Sequence, residues 1–227
     1  SLTRLRSERA RVIQEGERQR GFDALKTRDM TTAQQKFEDV LKRAPKDVGA
    51  LVGLGFVRLD QKRFTDALAL FDQARTLAPQ RADVAEGYET AQYWSAMERG
   101  AALESRDAAA ALAAYQMAQS VRPGEDGPTL AIAQVRLRQH DLAGARHGFE
   151  QVLQRAPNNV DAIAGMGFVH LDEKNFSEAA ARLEKARTLA PNRKDVEDGY
   201  RNARFWGLMT EACALVHRGQ GQDPLPR

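Results

Sequence analysis

One cysteine in 227 residues, Cys213, has no partner for an internal disulfide, so the chain is no disulfide-stapled scaffold and its redox compartment stays open. Apolar runs are short. None approaches the ~20 residues that a membrane-spanning helix requires, so no membrane insertion by this chain is expected, and no signal peptide is present. A start at Ser1 without Met and the ending GQGQDPLPR read as an excised piece of a longer protein, about which missing targeting segments say nothing. Charge of one sign is scarce too: the net charge of +3 comes without a basic stripe, which argues against nucleic acid as a partner. Arg outnumbers Lys by 26 to 8, a surplus that reads as helix-compatible surface rather than as an anion site.

Clustered chemistry is missing as well. The four histidines, His140, His147, His170 and His217, are scattered and expected at the surface or a groove edge. No Cys/His set has zinc spacing and no HExxH occurs, so no catalytic residue, metal ligand or cofactor is expected. The segments GLGF (53–56) and GMGF (165–168) lack a preceding strand and a GK[ST] ending, and read as glycines where helices cross rather than as phosphate loops. Cys213 falls on the apolar stripe of the last helical segment and is expected as a buried, inert thiol.

What is abundant is alanine, with Glu, Arg, Leu and Gln, a composition that favours helix throughout and predicts an all-α chain. Pro45, Pro79, Pro123, Pro157 and Pro191 recur at intervals of 34, 44, 34 and 34 residues. Within 48–81, Leu51, Leu54, Gly55, Ala67, Phe71, Ala74 and Pro79 stand at offsets 4, 7, 8, 20, 24, 27 and 32, and 126–159 and 160–193 carry equivalents. In this combination the chain resembles the tetratricopeptide repeat, a helix–turn–helix unit of 34 residues that buries its faces only by stacking on neighbours. Leu51 and Arg58 depart from the tryptophan and aromatic usual at their offsets. The resemblance implies a solenoid, a right-handed superhelix of about five repeats interrupted by long helices. Small residues such as Gly55 and Ala67 are expected at helix crossings. Phe37, Phe71 and Phe149 are expected to fill the space between units.

A longer period overlies this one. Residues 37–94 align with 149–206 without gaps at an offset of 112, and 32 of the 58 positions are identical, so a larger module has been duplicated. Three units of 34 leave ten residues over, placed in a helix expected over 81–107, with Val84, Tyr88, Ala91, Trp94 or Ser95, Glu98 and Ala102 along one face. Ten residues at ~100° each leave the helix ends out of phase, so the array is expected to change direction there and to straighten if the ten inserted residues are deleted. The expected organisation is a first module at 1–81, whose strongly charged first 20 residues form a solvated helical extension, a second at 82–193, an unpaired long helix at 194–218 and a tail at 219–227. The linker PGEDGP (123–128) is a candidate hinge.

The concave surface of such an array is lined by fixed positions of each first helix. Here these include Val52, Phe56, Leu59 and Asp60; Leu130, Gln134, Leu137 and Arg138; and Phe168, Leu171 and Asp172. Phe56 and Phe168 either anchor an apolar peptide or pack into the core. Val52 and Phe56 replace the Lys and Asn that a carboxylate clamp for chaperone tails would need. Tyr88, Trp94, Tyr200 and Trp206 are expected to pack the joints of the long helices, with sugar stacking on the tryptophans as the alternative. Asp60 and Asp172 end first helices, as local caps or groove charges.

The repeats reading APNNVDAIAGMGFVHLDEKNFSEAAARLEKARTLAP (156–191), interrupted by extra helical segments, resemble the periplasmic tetratricopeptide region of the cellulose synthase operon protein C family. The resemblance implies a non-catalytic interaction scaffold of a cellulose or exopolysaccharide synthesis and export complex, located in the periplasm, with proteins of a secretion or synthase complex as partners and the exported polysaccharide as a further candidate. A generic peptide-binding adaptor, cytoplasmic included, and a direct glycan-binding scaffold are the alternatives.

Overall fold

A computed structural model describes residues 2–220, and among these every regular element is an α-helix. Five second helices of 14 residues recur: α2 (Met30–Arg43), α4 (Phe64–Leu77), α6 (Ala108–Val121), α8 (Leu142–Arg155) and α10 (Phe176–Leu189). Three first helices have 13 residues: α3 (Val48–Asp60), α7 (Asp126–Arg138) and α9 (Val160–Asp172). Three are long: α1 (Leu2–Lys26), α5 (Ala82–Leu103) and α11 (Lys194–Gln220), of 25, 22 and 27 residues. The part of the expected tail beyond residue 220 lies outside the described residues.

The turns explain the rhythm. After each of α2, α4, α8 and α10 stands an Ala-Pro pair, and the alanine before the proline is pushed out of the helical region, at φ from −131° to −144°. Its carbonyl then accepts the N–H three residues on, as from Asp47 to Ala44 at 3.0 Å. The turns from first to second helix close differently. Arg63 N–H reaches the Arg58 carbonyl (2.8 Å) and Lys62 N–H the Leu59 carbonyl (3.0 Å), the paired bonds of a Schellman motif. Such a turn needs a left-handed residue, and Arg28, Lys62, His140 and Lys174 supply it at φ of 57° to 60° although none is glycine.

Contacts divide the chain into two compact units, Ser1–Leu103 with Ser120–Pro123, and Glu104–Gln119 with Gly124–Arg227. In the first, Phe37 and Phe71 are fully buried centres of two apolar clusters. Each ring occupies space that glycines leave: a Cβ on Gly53 would come within 2.2 Å of Phe37, and one on Gly87 within 2.1 Å of Phe71. Phe22 meets Phe37 edge-on at 5.0 Å, and Phe56 meets Phe71 at 5.2 Å. In the second unit Phe149 and Leu183 hold the same places, against Gly165 and Gly167. Ala67 and Ala179, expected at crossings, are fully buried.

Several expectations are corrected. The long helix predicted over 81–107 ends at Leu103, because Asp107 accepts the Ala110 N–H (2.9 Å) and so starts α6. Its buried face runs through Val84, Gly87, Ala91, Tyr93, Ala96 and Gly100. Past Ala91 it is therefore set by small residues and Tyr93, not by Trp94, Glu98 and Ala102. Cys213 is exposed, since nothing among the described residues covers the second half of α11. His170 is buried: it lies 3.2 Å from Glu173, which Arg146 of α8 also holds at 2.6 Å, so α8 occupies the face expected to be open. The charged extension of α1 is exposed as expected at residues 2–13, 15, 16, 19 and 20, while Gln14, Glu17 and Arg18 are half-buried. Gln14 and Arg18 reach Asp47 at 2.7 and 2.9 Å, while the other oxygen of Asp47 caps α3 through the Ala50 N–H.

Candidate functional site

Two open grooves, one in each unit, share five lining residues 112 positions apart. In the first unit Leu59 and Asp60 at the end of α3, Lys62 in the following turn, Phe64 at the start of α4, and Trp94, Met97 and Glu98 on α5 surround about 560 Å³. In the second, Leu171 and Asp172 end α9, Lys174 lies in the turn, Phe176 opens α10 and Trp206 stands on α11; with Phe168, Asp195, Asp198, Gly199 and Asn202 they surround about 810 Å³. The arrangement follows from the repeat. A Schellman turn at the end of a short first helix brings its last carboxylate, the left-handed lysine and the first phenylalanine of the second helix to one edge. The long helix that follows is tall enough to stand a tryptophan beside them.

Each tryptophan is braced yet open. Trp94 stacks on Phe64 at 5.8 Å and 22°, and Trp206 on Phe176 at 6.5 Å and 25°. Tyr93 and Phe205 meet them edge-on at 5.1 and 5.3 Å. Even so, 43% of Trp94 and 48% of Trp206 remain exposed. Joint packing and surface presentation thus coexist in one side chain. Tyr88 and Tyr200, the other expected joint residues, are half-buried beneath Arg75 and Arg187, whose guanidinium carbons lie 4.0 and 4.2 Å from the ring centres.

The electrostatics of the rims are unusual for helix ends. Asp60 and Asp172 are the final residues of α3 and α9, where the helix dipole disfavours a carboxylate. Neither caps the turn. At the corresponding end of α7 stands Arg138, the sign the dipole favours, which pairs with Glu104 at 2.6 Å. The side chains of Asp60, Lys62 and Glu98 make no hydrogen bond or ion pair with any described residue. Asp172 lies 3.2 Å from the His140 ring. Asp195 is held below the usual carboxylate range by the Arg193 guanidinium, which donates to both of its oxygens. Among the described residues no His, Cys, Asp or Glu group is arranged to hold a metal ion, and no helix is long and apolar enough to cross a membrane.

The structure brings together only part of the expected concave set. Leu59, Asp60, Phe168, Leu171 and Asp172 line the grooves. Val52 is instead inside the core at 1% exposure, and Phe56 packs edge-on to Phe71 outside the first groove. Leu130 and Leu137 pack on the Phe149 cluster, and with Gln134 and Arg138 they line neither groove. Sequence reasoning missed Lys62, Phe64, Lys174 and Phe176. Their signal is present, since LDxKxF recurs at 59–64 and 171–176, but these lysines and phenylalanines belong to a turn and a second helix, away from the concave positions of the first helices.

Tetratricopeptide-repeat family models match residues 19–82 and 136–203, together more than half of the chain. This is a tetratricopeptide-repeat protein. Cellulose synthase operon protein C of Xanthomonas axonopodis pv. citri is 28% identical over 166 residues, which cover 73% of this chain and 11% of that protein. Cellulose synthase 2 operon protein C of Komagataeibacter xylinus is 28% identical over 238 residues, covering 98% of this chain and 18% of that one. The chain thus spans less than a fifth of the length of these relatives. Among solved structures, the tetratricopeptide domain of P58(IPK) superposes with a TM-score of 0.54 at 14% identity, over 92% of this chain and 71% of that one, a likeness of fold.

Proposed function

We propose that this tetratricopeptide array is a non-catalytic interaction scaffold of a bacterial cellulose or exopolysaccharide synthesis and export complex, working in the periplasm. The observation that carries this reading is the similarity to cellulose synthase operon C proteins, which in one of them runs over 98% of the chain. A repeat array suits the role physically. It presents a long surface at little folding cost, because each unit is stabilised by its neighbours, and these two units carry a recurring groove, on which the side chains of Asp60, Lys62 and Glu98 pair with no described residue. The test is co-purification of the protein with the polysaccharide synthase and outer-membrane components of its own organism, against an unrelated tetratricopeptide array of equal length. Selective enrichment is the expected result, and enrichment no greater than that of the control would overturn the export role. A periplasmic location is tested separately by fractionating cells that carry the full-length gene; recovery in the cytoplasm alone would overturn it.

A further inference from the structure

We propose that the two grooves are equivalent subsites for a neutral β-linked glucan, each holding a pyranose ring against the indole of Trp94 or Trp206. The inference rests on the export reading for the identity of the polymer, and on the grooves for everything else. A pyranose with equatorial hydroxyls has two apolar C–H faces and a polar edge. It therefore asks for a flat apolar plate beside hydrogen-bond acceptors, and both grooves supply this: a braced, half-open indole beside Asp60 or Asp172.

Three observations favour a glucan over other occupants. Carboxylates outnumber amines on both rims, Asp60 and Glu98 against Lys62, and Asp172 and Asp198 against Lys174 with Asp195 already paired to Arg193, which disfavours an acidic polymer. Asp60 and Asp172 sit where the helix dipole disfavours them, and a groove function explains why both repeats carry a group that folding alone would replace. The third observation is the duplication. Leu59, Asp60, Lys62, Phe64 and Trp94 all recur unchanged at +112, while Gln61, Arg63 and Tyr93 between them become Glu173, Asn175 and Phe205, and the rim residue Glu98 becomes Thr210. Two sites with this shared set suit a ligand that repeats itself. A homopolymer offers the same unit to both, whereas a peptide would have to carry its motif twice.

The test is titration of the whole chain with cellohexaose, followed by tryptophan fluorescence and calorimetry, with maltohexaose as the α-linked control. Saturable binding selective for cellohexaose is expected. Trp94→Ala and Trp206→Ala should each weaken it about tenfold, with Phe at either position recovering part of the loss. Asp60→Asn should weaken binding while leaving the melting temperature unchanged or higher, a combination that a merely structural role would not produce. Absence of saturation, equal response to maltohexaose, or binding undiminished in the doubly substituted protein would overturn the inference. So would displacement of the indole signal only by peptides with an aromatic anchor flanked by lysines. If cellohexaose is silent while the synthase co-purifies, the glucan site falls and the scaffold stands; binding without co-purification means the reverse.

Discussion

At the scale of single residues, the fold depends on side chains that are absent. Gly53 lacks the Cβ that would fall 2.2 Å from Phe37, whereas Gly16 has nothing within 4 Å. Both are helical, so intrinsic propensity favours alanine at both by about 0.5–1 kcal/mol. At Gly16→Ala that gain should appear in full in chemical denaturation. At Gly53→Ala the displaced ring should reverse the sign, to a loss of roughly 1–3 kcal/mol; equal effects at the two sites would mean that Phe37 is not wedged there. A second prediction concerns Ala67 and Ala179, both fully buried. Aspartate at either buries an unpaired charge and should cost several kcal/mol, on the order of 3–5. An unchanged melting temperature would refute the repeat register.

At the scale of elements, the decisive features are the helix ends. Asp47 caps α3 and receives Gln14 and Arg18 from α1. Burial alone would raise its pKa, but the Ala50 N–H, Gln14 and Arg18 outweigh that, and the folded value lies below the ordinary one. A depressed carboxylate contributes stability that is complete above its unfolded pKa and is lost as pH falls through the folded value. Melting temperature should therefore drop as pH is lowered below about 4. In Asp47→Asn, which keeps a capping side chain, the drop should be shallower and the starting value at pH 7 lower. Parallel pH profiles for the two proteins would remove Asp47 from the account. Helix ends were also where sequence reading succeeded and failed. The Ala-Pro pairs were legible because proline constrains its own φ and its predecessor locally. The end of α5 at Leu103 was not, because Asp107 competes as both a possible helix residue and a cap, and apolar spacing does not choose between them.

At the scale of the whole molecule, the chain is a repeat protein whose stability is held in separate neighbour-to-neighbour clusters. The Ala67 cluster and the Ala179 cluster share no residue. The effects of Ala67→Asp and Ala179→Asp should therefore add within about 0.5 kcal/mol. Trp94 and Trp206 report on one unit each, so in single-tryptophan variants Ala67→Asp should shift the Trp94 transition to lower denaturant and leave that of Trp206 in place. Coincident shifts of both signals would mean that the whole chain unfolds as one cooperative block.

The sequence by itself determined the repeat: the 34-residue proline rhythm, the small residues opposite each phenylalanine and the duplication at +112 are local or periodic, and period is what a linear chain records directly. Tertiary structure alone decided which side chains share a surface. Val52 and Leu59 lie on one short helix, yet one is in the core and the other on a groove, because the neighbouring helices α4 and α5 close over only one of them. Trp94 stands exposed because Tyr93 and Ala96 take the buried face of α5. Its meeting with Asp60, Lys62 and Phe64, 30 to 34 residues earlier, exists only once the turn and the long helix are folded beside each other.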